Sequence, residues 1–422
     1  MIVPSIDLMD GRAVQLRRGR EHVLTADESP VDLAERFAFY GEIAVVDLDA
    51  ALGRGSNRNL VKELCRVARC RVGGGVRSPG DVEDLIKAGA TRVVVGTAAT
   101  PEFLGRFPPE WLHVALDARG GRVTDRGWTA DTGERVLDRA RRLEPLCSGF
   151  LFTQVEVEGT MSGVPLDPVR ALTDQVRVPV TVAGGVRDLA DVRALEALGC
   201  DVQVGMSLYT GALSLDDALL TLPAFDKGPI PTIAQATDGR VLMLAWSTQD
   251  SLREALTLRR GVYWSRSRQS LWRKGDESGH TQALLGMRYD CDADTLLFRV
   301  DQRGPACHTG KAACFEDIRS FTLDTLAAII RSRRGEDPSR SWTAKLLADP
   351  DLVRAKIAEE AAEVCSADTR ANLVWEAADL VYHTMVLLEA QGIGLREVEA
   401  ALRARAGRLR GNSETTPGVE RG

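Results

Sequence analysis

The sequence has no excess of charge of one sign: 54 basic residues face 60 acidic ones in 422, a net of -6. No global field therefore draws it to nucleic acid or to an anionic membrane. It also lacks an uninterrupted apolar run of about 18 residues, the length a membrane-spanning helix needs. Its opening, MIVPSIDLMDGR, has no basic segment leading into an apolar stretch, as a secretory leader would. Cysteine is sparse, eight in all, and only Cys291, Cys307 and Cys314 cluster in the sequence. Without secretory features these thiols are expected to stay reduced. We therefore expect a cytoplasmic protein with small-molecule partners, no nucleic acid and no membrane. At about 150 residues per domain, the length suggests about three domains.

In the first half, short β-rich runs such as AVVDLDA, RVVVGT, LHVALDA and VPVTVAGG alternate with helical stretches such as PGDVEDLIKAGA. Such alternation marks parallel βα units. An internal repeat runs through them: VGGGVRSPGDVEDLIKAGATRVVVGTA (72–98) returns as VAGGVRDLADVRALEALGCDVQVGMS (182–207). The offset from Gly74 to Gly184, 110 residues, also carries Asp7 to Asp117, Gly11 to Gly121 and Arg12 to Arg122. A duplicated four-strand half closing into an eight-stranded (β/α) TIM barrel over residues 1–222 explains a repeat of that length, with both aspartates at strand ends on the catalytic face.

Each half also has a Gly-rich strand end, Gly74 and Gly75 or Gly184 and Gly185, followed by a second, Gly96 with Thr97 or Gly205. Bare backbone N–H groups there approach a phosphate closely. Such glycines also serve tight βα turns, but their return at symmetry-related places favours two phosphate cradles and a substrate with a phosphate at each end.

Through PSIDLMDGRAVQL, VVDLDAA, GGGVRS, VVGTAA, LDARGGRV, GW at 127–128, EGTMSG and AGGV, residues 1 to about 220 resemble the phosphoribosylformimino-aminoimidazole carboxamide ribotide isomerases of histidine biosynthesis. The sister cyclase barrel matches less well, since it usually has Cys-Leu-Asp-Val-Lys where this chain has Ser5-Ile6-Asp7-Leu8-Met9. The resemblance implies an Amadori rearrangement: an acid opens the ring of an aminoaldose, and a base removes the C2 proton to give the aminoketose. Two carboxyl groups facing each other across a barrel mouth can do this without a cofactor if their pKa values are pushed apart. Asp7 is assigned as the base, Asp117 and Glu158 compete for the acid, and Thr153 is a further candidate catalytic residue. The family usually has Arg-Asp-Gly where this chain has Val157-Glu158-Gly159, and Asp where it has Gln154. Glutamate keeps the carboxyl but moves it by about one methylene.

TLPAFDKGPIPTIAQ (221–235) breaks the βα rhythm and reads as a linker running into the next strand. Short β-type runs with basic turns then suggest a compact β-rich module over residues 225–318. Cys307 and Cys314 are too far apart in sequence for a structural zinc knuckle, but with Cys291 they make three thiolates, and three protein ligands with an open position describe a catalytic zinc. In an extended strand, alternation would put Asp290, Asp292 and Asp294 on one face as magnesium ligands and Cys291 on the other. YWSRSR, LWRKG, SGH, DCDAD and GPACHTGKAACF resemble the phosphoribosyl-AMP cyclohydrolases. The resemblance implies zinc-dependent hydrolytic opening of the adenine ring, a zinc site formed between two subunits of a homodimer, and His308 as proton shuttle. It also implies Arg266, Arg268, Arg273 and Lys274 as phosphate ligands. The family often has Lys-Gly-Glu-Thr-Ser-Gly where this chain has Lys274-Gly275-Asp276-Glu277-Ser278-Gly279.

From Leu323 onward β signals vanish, and Ala, Leu, Glu and Arg recur at helical spacing. Glu360 with Glu363, and Glu376 with Asp379, are i,i+3 pairs that share helix faces among apolar neighbours. Two such pairs on neighbouring helices would jointly hold Mg²⁺ on a pyrophosphate. Together with LAAIIRSRR, SWTAKLL, Lys356, EEAAE and EAADLVYH they resemble phosphoribosyl-ATP pyrophosphatase, an all-α pyrophosphohydrolase, over about 321–406. Trp342 stands where that family tends to have Tyr, and the tail 407–422 is expected to be disordered.

The three resemblances imply consecutive steps of one pathway, in chain order opposite to reaction order. Three alternatives stay open: the barrel also isomerises phosphoribosylanthranilate, the barrel is a weak or inactive scaffold, or the helical domain is a general nucleotide pyrophosphatase.

Overall fold

The structure, a computed structural model, describes residues 1–125, 127–128, 130–315 and 321–411, with residues 403, 404 and 406–411 described in backbone only. It divides into two compact units, one of Met1–Phe315 with the chain from Ala400 on, the other of Glu316–Glu399. Among the described residues, no helix is long and apolar enough to cross a membrane.

In the larger unit β1 (Ile2–Met9) leads into a hairpin, β2 (Arg12–Arg17) and β3 (Glu21–Thr25). Strand and helix then alternate through α1 (Pro30–Ala38), β4 (Ile43–Asp47), α2 (Leu48–Leu52), α3 (Arg58–Val67), β5 (Cys70–Gly73), α4 (Pro79–Lys87), β6 (Arg92–Val95), α5 (Pro101–Leu104) and β7 (Leu112–Arg119). A second hairpin, β8 (Arg122–Asp125) and β9 (Ala130–Arg135), follows β7 as the first follows β1. After it come α6 (Val136–Leu143), β10 (Phe150–Gln154), α7 (Leu166–Thr173), β11 (Val180–Ala183), α8 (Leu189–Glu196), β12 (Asp201–Val204), α9 (Met206–Tyr209) and α10 (Leu215–Thr221). Strands β1, β4, β5, β6, β7, β10, β11 and β12 pair in parallel in that order, and β12 returns to β1, so the barrel closes.

Local chemistry explains the elements. Ser78 caps α4 by accepting from the Asp81 amide, the Asp81 carboxylate accepts from the Ser78 amide at 2.8 Å, and Pro79 presets the first turn. Val82, Leu85 and Ile86 then share the buried face. Inside the barrel the buried Arg71 donates to Glu42 at 2.6 Å, Asp201 at 3.1 Å and the Thr181 hydroxyl at 2.6 Å. Thr181 is its mate in the repeat, so the internal symmetry meets at the barrel axis. Gly74 adopts φ +94°, and a Cβ there would stand 2.7 Å from the Asp47 backbone nitrogen. Gly74→Ala is therefore expected to lower stability by about 1–3 kcal/mol, read as a fall in the urea midpoint at unchanged slope.

The chain continues as β13 (Ile230–Ala236), β14 (Val241–Ser247), α11 (Gln249–Leu258), β15 (Val262–Ser265), β16 (Ser270–Arg273), β17 (Gln282–Tyr289) and β18 (Leu296–Gln302). A four-stranded sheet in the order β14-β13-β18-β17 packs with α11 around Tyr263 and Phe298, beside the β15–β16 hairpin. Leu219 and Leu220 of α10, the last barrel helix, belong to this second core. The sheet docks near the N-terminal ends of the barrel strands. The Tyr289 hydroxyl donates to Glu196 at 2.6 Å, the Met287 amide to the Phe39 carbonyl at 3.2 Å, and the Arg259 guanidinium lies 4.0 Å above the Phe39 ring.

One expectation is overturned here. Residues 290–294 form the turn between β17 and β18 and not an extended strand. The Asp290 carboxylate accepts from the amides of Asp294 and Thr295, both at 3.1 Å, and Ala293 takes φ +58°. Short aspartate side chains that bond their own backbone favour such turns over strands.

The smaller unit is helical: α12 (Leu323–Ser332), α13 (Trp342–Ala348), α14 (Pro350–Ser366), α15 (Arg370–Ala390) and the start of α16 (Leu395–Gly411). Ile330, Leu346, Val353, Met385 and Val386 form its core. Of the tail expected to be disordered, residues 407–411 continue α16, and 412–422 lie outside the described residues.

Candidate active sites

The barrel mouth encloses a cavity of about 830 Å³. Asp7 near the end of β1, Asp117 near the end of β7 and Glu158 in the loop after β10 all line it. So do Gly74, Gly75, Gly96, Thr97, Gly184, Gly185 and Gly205, which places both expected glycine cradles around one space. Burial pushes the Asp7 carboxyl up to about 6, against a 2.8 Å hydrogen bond from the Ser5 hydroxyl. Burial likewise pushes Asp117 up to about 6, against hydrogen bonds from Trp128 and Thr153. Thr153 is the residue paired with Asp117 across the β7–β10 ladder. Glu158 is pushed up to about 7 by burial and then by the charge of Asp7. Its Oε2 is buried without a partner. A Cβ on Gly184, which has φ +85°, would stand 3.2 Å from the Glu158 Cα, so this glycine gives the glutamate its place.

Gln154 does not join the carboxyls, because its side-chain amide donates to the Pro165 carbonyl at 2.8 Å. Trp128 is a residue that sequence reasoning left without a role. It lines the cavity, bonds Asp117, and sits so close to the β2–β3 turn that a Cβ on Gly19 would meet its ring at 2.6 Å. Its signal in the sequence was the Gly127-Trp128 pair.

In the second module the thiols of Cys307 and Cys314 are neighbours. The Thr309 hydroxyl, 3.1 Å from the Cys307 sulfur, holds that thiol below its usual pKa, while burial raises Cys314. His308 Nδ1 lies 3.9 Å from the Cys307 sulfur. Lys274 is buried, 6% exposed, and faces both thiols. The other basic residues of the hairpin have partners in the module: Arg266 lies over the Trp246 ring, Arg268 pairs with Glu277 and Arg273 with Glu254. Cys291 is exposed in the turn before β18, whereas Cys307 follows the far end of that strand. A strand of 7 residues spans roughly 20 Å, so one chain does not bring the three thiols together. The carboxylates of Asp290, Asp292 and Asp294 do meet, each within 4.8 Å of the others.

In the helical unit, Glu360 of α14 meets Glu376 and Asp379 of α15 within 4.8 Å, and Glu363 faces Glu376 beside them. Burial raises Glu360 and Glu376 above their usual pKa, and the neighbouring carboxylates add to it. Like charges held this close favour a bound cation. His383 Nδ1 donates to the Asp379 carbonyl at 2.9 Å and lies 3.6 Å from Glu360.

Comparison with known proteins divides the chain into three family matches. Residues 1–214 match the family model described as histidine biosynthesis protein, residues 243–316 that of phosphoribosyl-AMP cyclohydrolase, and residues 323–406 that of phosphoribosyl-ATP pyrophosphohydrolase. The chain is 46% identical over 186 residues to the histidine biosynthesis bifunctional protein HisIE of Synechocystis sp., covering 41% of this chain and 86% of that protein. It is 34% identical over 234 residues to the 1-(5-phosphoribosyl)-5-((5-phosphoribosylamino)methylideneamino) imidazole-4-carboxamide isomerase of Methanosphaera stadtmanae, covering 52% of this chain and 98% of that protein. To the isomerase of the same name from Halobacterium salinarum it is 40% identical over 229 residues, 51% of this chain and 95% of that protein.

Proposed function

From the premise that this chain belongs to the histidine biosynthesis protein family, with cyclohydrolase and pyrophosphohydrolase domains after its isomerase barrel, we propose that it catalyses three consecutive steps. These are release of pyrophosphate from phosphoribosyl-ATP, hydrolytic opening of the adenine ring of phosphoribosyl-AMP, and Amadori isomerisation of the resulting aminoaldose. The observation that carries the last step is three carboxyls with raised pKa in one cavity between two glycine cradles.

In the barrel, a protonated carboxyl gives its proton to the ring oxygen as the C1–O bond breaks and the nitrogen lone pair forms C1=N. Ionised Asp7 then removes the C2 proton, and the enaminol collapses to the ketose. Glu158, pushed to about 7, is the carboxyl that best keeps its proton near neutrality; Asp117, held by Thr153 and Trp128, is its rival. With Asp7 ionised and its partner protonated, kcat/KM is expected to be bell-shaped, rising near pH 6 and falling near pH 7. Glu158→Gln removes the falling limb if Glu158 is the acid, and Asp117→Asn removes it if Asp117 is. A flat profile from about pH 5 to about pH 8 would contradict the carboxyl pair.

For ring opening, Cys307 and Cys314 fit zinc: two adjacent thiols, one held toward thiolate, beside a buried ammonium. Zinc bound there would act as the Lewis acid that lowers the pKa of water. The separation of Cys291 supports its service as third ligand to the Cys307–Cys314 pair of a second copy, in a homodimer. His308, with one ring nitrogen toward Cys307, would carry the proton to the departing nitrogen. Asp290, Asp292 and Asp294 would hold Mg²⁺, and Lys274 would compensate thiolate charge in addition to, or in place of, binding phosphate. In the helical unit Glu360, Glu363, Glu376 and Asp379 would hold Mg²⁺, which offsets the pyrophosphate charge opposing attack by water.

The test is incubation of the purified protein with phosphoribosyl-ATP, Zn²⁺ and Mg²⁺, following each product by chromatography. The reading requires pyrophosphate, the ring-opened aminoaldose and the aminoketose in succession, and a missing product removes the corresponding step.

A further inference from the structure

Gln15, in β2, is 4% exposed and lines the barrel cavity, yet its side-chain nitrogen Nε2 is buried without a hydrogen-bond partner. Leaving an amide donor unpaired in a protein interior is costly, and such a donor in a ligand cavity implies an acceptor supplied by the ligand. Its place narrows the acceptor. A Cβ on Gly205 would stand 2.6 Å from Gln15 Oε1, so the amide lies against one of the two glycine cradles. Asp7, the proposed base, lines the same cavity.

The repeat offset of 110 carries Gln15 to Asp125, which also lines the cavity. There the side chain is an acceptor, and its carboxylate takes a hydrogen bond from Arg139 at 3.2 Å. The two halves of the barrel therefore offer similar glycine loops but opposite hydrogen-bonding side chains. A substrate with a ribose phosphate at each end is nearly symmetric, while only its aldose end is to be opened. Similar cradles alone would accept it in either direction.

We propose that the Gln15 amide donates to the substrate phosphate held at Gly184, Gly185 and Gly205, and that its contrast with Asp125 fixes which end of the substrate docks there. The inference rests on the isomerase reading above. A neutral donor next to glycine amides favours a phosphate dianion, whereas a carboxylate at the equivalent place repels one.

The experiment uses the full chain with Gln15→Leu and Gln15→Glu. An unchanged urea midpoint of the barrel transition serves as the control for folding. In Gln15→Leu the isomerase KM is expected to rise about tenfold or more with kcat within about twofold, and in Gln15→Glu to rise further at pH 8 than at pH 5. Inorganic phosphate, titrated against the same proteins and followed by phosphorus NMR line broadening, should show two barrel sites in the parent and a weakening of one by a similar factor. An unchanged KM with unchanged phosphate affinity overturns the proposal, as does a loss confined to kcat, which would tie Gln15 to Asp7 instead. If the parent itself fails to isomerise, the isomerase reading falls separately, and the phosphate titration still decides whether Gln15 binds the anion.

Discussion

Asp7→Asn is expected to reduce isomerisation by about 10²–10⁴-fold while pyrophosphate release and ring opening continue, so that the aminoaldose accumulates. The substitution keeps the shape of the side chain and removes only its basicity. It also carries a stability signature. In the fold the Asp7 carboxyl sits near 6, above its ordinary 3.8, because burial disfavours the charged form. A raised folded-state pKa for an acid contributes stability below pH 3.8 that is lost as pH rises through 6. The asparagine variant lacks this loss, so it should match the parent in acid and unfold at a higher temperature than the parent at pH 8. A variant that loses isomerisation and stability together at pH 8 would point to a structural role for Asp7 instead of a chemical one.

Cys307→Ser is expected to lower ring opening by more than about 10²-fold, since a direct ligand matters at least as much as the groups that orient one. Phosphoribosyl-AMP should then accumulate, with pyrophosphate release intact. Because Cys291 and Cys307 lie at opposite ends of β18, the same reading makes a second forecast. Neither Cys291→Ser nor Cys307→Ser alone should retain ring opening. Co-expressed, half of the dimers are mixed and each mixed dimer keeps one of its two sites whole, so about a quarter of the activity should return. Absence of any recovery in mixed dimers would place all the ligands within one chain and contradict the shared site.

The barrel was legible in the sequence because βα alternation and a repeat with one constant offset are both long-range patterns. The offset that pairs Asp7 with Asp117 also pairs Arg71 with Thr181, which touch at the axis. The turn at residues 290–294 was misread because alternating aspartates satisfy a strand's period of two as well as a turn's appetite for short polar side chains. The hydrogen bonds from Asp294 and Thr295 to Asp290 decide between them, and no periodicity records those. Trp128 and Gln15 escaped assignment for a related reason. Their importance comes from segments far apart in sequence that meet only in the fold, Trp128 over Gly19 and Gln15 against Gly205. The acid cluster of the helical unit was easier, since i,i+3 spacing alone puts each pair on one face.

Leu219 and Leu220 mark the end of the barrel in sequence and the beginning of the next core in space. The fusion between these two enzymes is thus a common wall and not a tether. Severing the gene at that point would strip one product of part of its interior and leave the other with two leucines facing water, a patch that invites aggregation. Any attempt to deliver the activities as separate proteins has to graft α10 onto the downstream fragment and resurface the barrel that loses it.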